Sequence, residues 1–221
     1  MRKIGVFDSG VGGLSVATAI EKALPNHQVI FRDDKKNVPY GIKNKQELLK
    51  LVSPILKSMA EDGCEVIVIA CNTVTTTLIH ELRHNISIPL IGMEPMIKPA
   101  SIKTKSNYIA VFATPTTLAS SRYYDLKKQY TKDIKVIEPD CSDWSYMIES
   151  NQINKDKIHT ITESVCNQGA DVIVLGCTHY HWIEDLIKQS AGSRAEVLQP
   201  EAPVIKQLKN ILTNLEPEQQ L

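Results

Sequence analysis

The feature that most restricts how this chain can fold is a repeated segment. Asp62-Gly63-Cys64-Glu65-Val66-Ile67-Val68-Ile69-Ala70-Cys71-Asn72-Thr73 returns as Gln168-Gly169-Ala170-Asp171-Val172-Ile173-Val174-Leu175-Gly176-Cys177-Thr178-His179, offset by 106 residues. Near the same offset, Ile4-Gly5-Val6-Phe7-Asp8-Ser9 aligns with Ile109-Ala110-Val111-Phe112-Ala113-Thr114. A charged residue followed by alternating Val and Ile is a common strand pattern, so chance similarity is the competing explanation. The cysteine that closes both copies favours duplication.

The rest of the chain reads the same way. Short, β-branched apolar runs at 4–7, 28–31, 66–70, 88–91, 109–113, 134–137 and 172–175 alternate with amphipathic stretches at 14–24, 44–61, 74–84, 117–130, 155–167 and 182–191. Such alternation predicts an α/β fold with mainly parallel strands. With the repeat, it predicts two similar α/β domains that meet across a cleft. The expected boundaries are 1–98 and 99–199, with the crossing in 92–107. The tail 200–221, holding a helix at 204–215, is expected to return to the first domain. Open α/β sheets carry their sites at the carboxyl ends of strands, which would bring Cys71 and Cys177 to one cleft from opposite walls.

The 221 residues are 43% hydrophobic, enough for one large core or two small ones. The 25 basic and 25 acidic side chains cancel, and no long charge run suggests a nucleic-acid surface. The apolar run at 4–7 is too short for a signal peptide, and no run reaches the length of a membrane span. Five cysteines without a CxxC pair suit free thiols in a reducing compartment, so the expected location is the cytoplasm.

Mirrored cysteines point to proton transfer. Inverting a stereocentre needs a base on one face of the carbon and an acid on the other, with the roles exchanged for the opposite enantiomer. A thiol suits both roles, because its pKa responds to helix N-termini and nearby charge. Two readings compete. Cys177 with His179 can form a nucleophilic pair for acyl transfer, and unpaired cysteines are commonly just buried.

Other strand ends offer supporting groups. Asp8 and Ser9 precede Gly10, Gly12 and Gly13, a turn that lets a ligand approach the backbone or simply caps a helix. It lacks the order of a dinucleotide fingerprint and the Lys-Ser/Thr end of a phosphate loop, so no nucleotide cofactor is indicated. Asn72, Thr73 and Thr178 offer amide and hydroxyl contacts to a carboxylate; Thr114, Thr116 and Thr117 do the same or cap a helix. Pro39-Tyr40-Gly41 is a turn, with Tyr40 over the cleft or over a core edge. On composition alone, Glu149 is expected to be a solvated helix residue. His179 is a cap or a proton-transfer partner. Cys177, His179 and His181 are close in sequence, but their spacing matches no common zinc pattern, so no metal is expected.

The segments Gly5–Gly13, Val38–Gly41, Ala70–Thr73, Ala113–Thr117 and Gly176–Tyr180 together resemble the glutamate racemase family, within the wider aspartate/glutamate racemases. The resemblance implies two α/β domains related by a pseudo-twofold axis with the site between them, in a cofactor-independent enzyme that interconverts L- and D-glutamate for peptidoglycan synthesis, acting on a small acidic amino acid and commonly homodimeric. It implies that Cys71 and Cys177 exchange protons with the α-carbon, that Asp8 assists Cys71 and His179 assists Cys177, and that Ser9, Tyr40, Gly41, Asn72, Thr73 and Thr178 hold substrate. Cys141 to Glu149 resembles a divergent form of the family's cysteine-to-glutamate segment, which raises Glu149 to a catalytic candidate. The chain departs from the family at His181, where proline is usual, and at Gln199-Pro200-Glu201, where Asp-Ser-Gly is usual; it is also short. Competing activities are an aspartate or broader acidic amino-acid racemase, a lyase or decarboxylase using one thiol, and a non-catalytic binding protein.

Overall fold

The computed structural model describes residues 1–215 as two parallel four-stranded sheets wrapped by helices. The first holds β1 (Lys3–Asp8), β2 (Gln28–Asp33), β3 (Val66–Ile69) and β4 (Leu90–Gly92), in the order β2-β1-β3-β4. The second holds β5 (Tyr108–Ala113), β6 (Lys135–Ile137), β7 (Val172–Gly176) and β8 (Glu196–Leu198), in the order β6-β5-β7-β8. The repeated segments are β3 and β7, and each lies beside the first strand of its own sheet. The duplicated sequence is therefore a duplicated topology.

Strand alternation divides each sheet into two faces. In the first sheet, Ile4, Val6, Val66 and Val68 pack on one side against α1 (Gly13–Ala23) through Val16 and Ile20, and against α10 (Glu201–Asn214) through Val204, Leu208 and Leu212. On the other side, Phe7, Ile67 and Ile69 meet α2 (Lys45–Glu61) and α3 (Asn72–Asn85). Helix α2 buries Leu48, Val52, Leu56 and Met59, one stripe at helical spacing, and an Asn44–Glu47 capping box starts it. Each of those side chains contributes roughly 1.5–3 kcal/mol by leaving water.

The second sheet repeats the plan. Ile109, Val111, Val172 and Val174 pack against α4 (Ile97–Lys103) and α6 (Ser121–Tyr130). Ala110, Phe112, Ile173 and Leu175 face α7 (Trp144–Glu149), α8 (Lys155–Asn167) and α9 (Glu184–Ala191). Trp144 is fully buried there, edge-on to both Phe112 and Tyr180.

Four local expectations change. The stretch 117–130 is not one helix: α5 (Pro115–Leu118) ends before Ser120, whose hydroxyl accepts the Tyr123 N–H and starts α6 afresh. The crossing segment contains α4, which covers the second sheet as α10 covers the first. Strand β8 and helix α7 are too short to show a period. Helix α10 begins at Glu201 rather than 204; residues 216–221 of the tail lie outside the described residues. Among the described residues, no helix is long and apolar enough to cross a membrane.

Candidate active site

The carboxyl ends of β1, β3, β5 and β7 converge on one cavity of about 340 Å³. Cys71 is the N-cap of α3, and Cys177 is the N-cap of a 3-10 helix at Thr178–Ile183. Each therefore sits where a strand turns into a helix whose first N–H groups are unpaired. Both thiols line the cavity, one from each sheet. Each also has a hydroxyl neighbour: Ser9 Oγ lies 3.7 Å from Cys71 Sγ, and Ser145 Oγ lies 3.5 Å from Cys177 Sγ.

The surroundings of the two sulfurs differ. Burial, and then the Asp8 carboxylate, push the Cys71 thiol well above its ordinary range. Asp8 itself is fully buried beneath the cavity floor; it accepts the N–H groups of Gly10 at 3.2 Å and Gly13 at 2.9 Å and the Thr178 hydroxyl at 3.2 Å. Burial raises its pKa despite those donors and the nearby His179. On the other wall, His179 Nδ1 lies 3.7 Å from Cys177 Sγ, and its Nε2 lies 2.6 Å from Glu149 Oε1. Burial opposes a charged imidazole, but the contacts with Cys177 and Glu149 hold the His179 pKa well above the ordinary histidine range. Glu149 responds in kind: burial favours the neutral acid, but His179 and the Val11 N–H bring its pKa below normal. The result is a carboxylate–imidazolium pair whose second N–H faces a sulfur.

Glu149 is therefore not the solvated helix residue that composition suggests. Its side chain is 14% exposed, and Oε1 accepts the Val11 N–H at 2.8 Å, across the cleft. Gly10 leaves room for it, since a Cβ there would lie 1.8 Å from Glu149 Oε1. Gly12 is equally constrained: a Cβ would meet the His179 backbone nitrogen at 2.6 Å.

Ser9, Tyr40, Gly41, Asn72, Thr73, Thr114, Thr178 and His179 line the cavity. Tyr40 does so while packing into the first core, and its hydroxyl donates to Asp34 at 2.6 Å. Asn72 donates its amide to the Met93 carbonyl, and its buried Oδ1 has no partner. Asp8, Thr116 and Thr117 stand behind the lining. The Thr116 hydroxyl donates to the Gly41 carbonyl at 2.7 Å, tying the second half to the first. Thr117 accepts from Thr114 at 3.0 Å and lies 3.3 Å from Thr73, while Thr73 and Thr114 meet across the halves at 2.9 Å.

The cavity is also lined by Val38 and Pro39, from the turn the sequence singled out, and by Lys35, Ser145, Tyr146 and Ser150, none of which was a candidate site residue. Ser145 and Glu149 lie four residues apart on α7, so helical spacing within 141–149 was the available signal. Lys35 in Asp33-Asp34-Lys35-Lys36 reads as a solvated turn and gave none. Among the described residues, no group of three His, Cys, Asp or Glu side chains is arranged to hold a metal.

The pattern of matches follows this geometry. The Asp/Glu/Hydantoin racemase profile matches residues 4–207, spanning both sheets and every cavity wall. The chain belongs to that family. Among family relatives, the glutamate racemase of Herpetosiphon aurantiacus is 37% identical over 95% of this chain and 84% of its own length. The crystal structure of the Escherichia coli glutamate racemase, in complex with L-glutamate and the activator UDP-MurNAc-ala, superposes with a TM-score of 0.84 at 25% identity, over 98% of this chain and 84% of that one. The Francisella tularensis glutamate racemase in complex with D-glutamate gives 0.80 at 26%, over 99% and 84%.

His181, which replaces the family's usual proline, turns away from the cavity. Its Nδ1 lies 3.3 Å from Ser15 Oγ on α1, and its buried Nε2 has no partner. Burial, then the charge on His179, lower its pKa from 6.5 to about 4. The folded state thus holds His181 neutral. Its contribution is whole above the unfolded value of 6.5 and is lost as pH falls through about 4. Thermal and denaturant unfolding between pH 7 and pH 4 is expected to show that loss, about 2–4 kcal/mol, and His181→Gln is expected to shed much less over the same interval. Equal acid losses in the two proteins would refute it.

Proposed function

We propose that this chain interconverts L- and D-glutamate by moving the α-proton between Cys71 and Cys177, and so supplies D-glutamate for peptidoglycan. The observation that carries this reading is two thiols from two different sheets on one cavity, each with its own acid–base neighbour. One sulfur removes the α-proton from its face of the carbon, and the other thiol delivers a proton to the opposite face. The net change is inversion at that carbon, with the proton inventory of the two sulfurs exchanged.

The remaining residues serve that exchange. N–H groups opening α3 and the 3-10 helix, with the hydroxyls of Thr73, Thr114 and Thr178, receive the α-carboxylate and the charge that spreads onto it as the proton leaves. The free Oδ1 of Asn72 is an acceptor for the α-ammonium. Asp8 acts on the Cys71 side and the Glu149–His179 pair on the Cys177 side, in keeping with their contacts. Glutamate is favoured over aspartate because the curated relatives and the ligand-bound neighbours are glutamate racemases. Five free, buried cysteines suit the reducing cytoplasm, and a homodimer is the assembly the family resemblance brings with it.

The test incubates the protein with L- or D-glutamate in heavy water, with aspartate in parallel. Optical rotation is expected to decay to zero from either enantiomer, and deuterium is expected to enter the α-position of the inverted product. Absence of both inversion and exchange with glutamate would end this reading; turnover of aspartate alone would replace the substrate.

A further inference from the structure

The two sulfurs receive their hydroxyl neighbours from unrelated places. Ser9, beside Cys71, follows β1, and the repeat puts Thr114 at the equivalent place after β5. Thr114 does not serve Cys177: its hydroxyl donates to Thr117 at 3.0 Å and lies 2.9 Å from Thr73. The neighbour of Cys177 is instead Ser145, the second residue of α7, with Oγ 3.5 Å from Sγ. Trp144, fully buried and edge-on to Phe112 and Tyr180, fixes that end of the helix.

Local chemistry directs the Ser145 proton to the sulfur. A serine in a helix ordinarily donates to the carbonyl four residues back, which here is that of Cys141. That carbonyl is occupied: it accepts the Trp144 N–H at 3.2 Å and the Tyr180 O–H at 2.9 Å, which uses both of its lone pairs. The Tyr180 hydroxyl itself is also near Ser145, but burial pushes its pKa well above the ordinary range. Tyr180 therefore stays neutral, and a thiolate is the stronger acceptor. The titratable groups near Cys177 are His179 and Tyr180 on its own helix, Cys141 before α7, and Cys71 from the other sheet. Two donors thus reach the sulfur, Ser145 at 3.5 Å and His179 at 3.7 Å.

We propose that Ser145 is a positioning residue for Cys177: its hydroxyl donates a hydrogen bond to the sulfur and steadies the negative charge that the sulfur carries while it acts as base. This rests on the two-thiol reading above and deepens it, because it gives the second sulfur a neutral donor besides His179. The same helix then serves Cys177 twice. Ser145 acts on the sulfur directly, and Glu149, one turn further on, acts through His179. Ser145 acts through the thiol rather than on the substrate, so its removal falls on kcat more than on KM.

The test compares wild type, Ser145→Ala and Ser145→Thr. Initial rates of iodoacetamide alkylation are followed from pH 6 to pH 10 by mass spectrometry of the peptide that carries Cys177, with the Cys71 peptide as internal reference. Ser145→Ala is expected to slow alkylation of Cys177 about three- to tenfold near pH 7, as befits one hydrogen bond to a charged sulfur, and to leave Cys71 within about twofold. The deficit is expected to shrink as pH rises, because the thiolate then forms without help. Ser145→Thr keeps the hydroxyl and is expected to stay near wild type. With glutamate, kcat is expected to fall about three- to tenfold in Ser145→Ala, with KM within about twofold. Alkylation in Ser145→Ala as fast as in wild type, a deficit of the same size at every pH, or a Thr variant as slow as the Ala variant would overturn the assignment. Failure of the glutamate reading shows itself separately, as a wild type that neither inverts glutamate nor exchanges its α-proton. The alkylation series needs no substrate and would still decide the role of Ser145.

Discussion

Cys71→Ser and Cys177→Ser are each expected to lose about three orders of magnitude in two-way glutamate turnover while remaining folded. Serine is the informative replacement because it nearly preserves volume and polarity, so the cavity and both caps survive. What it removes is a thiol, which gives up and takes back a proton far more readily than a hydroxyl. Both cysteines are buried against close-packed cores, and a hydroxyl there can keep the contact with Ser9 or Ser145. Unfolding temperature is therefore expected to shift by only a few degrees. In the proposed mechanism each sulfur serves as base in one direction and acid in the other, so either replacement is expected to block both directions. Full two-way turnover in either variant would remove that cysteine from the mechanism. If one variant kept full turnover and the other lost it, the chemistry would be that of a single thiol.

Glu149→Gln is expected to reduce kcat by about 10- to 100-fold and to move the alkaline limb of the pH–rate profile to lower pH. The side chains of Glu149 and His179 are 14% and 5% exposed, so the pair is largely shielded from water. Glutamine can still accept the Val11 N–H, but it carries no charge to sustain an imidazolium. His179 then loses one of the contacts that lift its pKa while keeping the burial that lowers it. It gives up its proton at a lower pH than in wild type, and Cys177 loses its charged neighbour sooner.

The same variant is expected to be less stable by about 2–3 kcal/mol, since a buried charge is left without its partner. The signs fix the pH window. His179 has a folded pKa above its ordinary value of 6.5, so its contribution is whole below 6.5 and fades as pH rises through the folded value. Glu149 has a folded pKa below 4.5, so its contribution is whole above 4.5 and fades as pH falls through the folded value. The difference between wild type and variant is thus greatest from about pH 4.5 to 6.5. An alkaline limb that does not move in Glu149→Gln would separate the glutamate from the titration of His179.

Much of this arrangement was legible before any coordinates. The repeat at 62–73 and 168–179 revealed twin sheets, because a buried strand and the polar turn after it are local patterns that survive duplication. The same reasoning placed Cys71 and Cys177 at equivalent strand ends, with Thr73 and Thr178 beside them. The amphipathic stripe of α2 was equally plain. Short elements were not. The three residues of β8 and the six of α7 are too few for a period to emerge, and their places are held by Leu198 and Trp144 within cores assembled from distant segments.

Contacts across the cleft were the least legible. Glu149 and Val11 are 138 residues apart, and Thr116 and Gly41 are 75 apart. No spacing announces such pairs, because they depend on how one sheet is turned toward the other. By itself, the sequence determined two α/β units and a cysteine at the same turn of each, since backbone periodicity and strand-end position are written within a few neighbouring residues. Only the tertiary structure decided that Glu149 would be paired rather than solvated, that Thr116 would serve as a tie between halves, and that Lys35 would line the cavity. Those outcomes follow from packing two separately encoded surfaces together, and no single stretch of chain contains both.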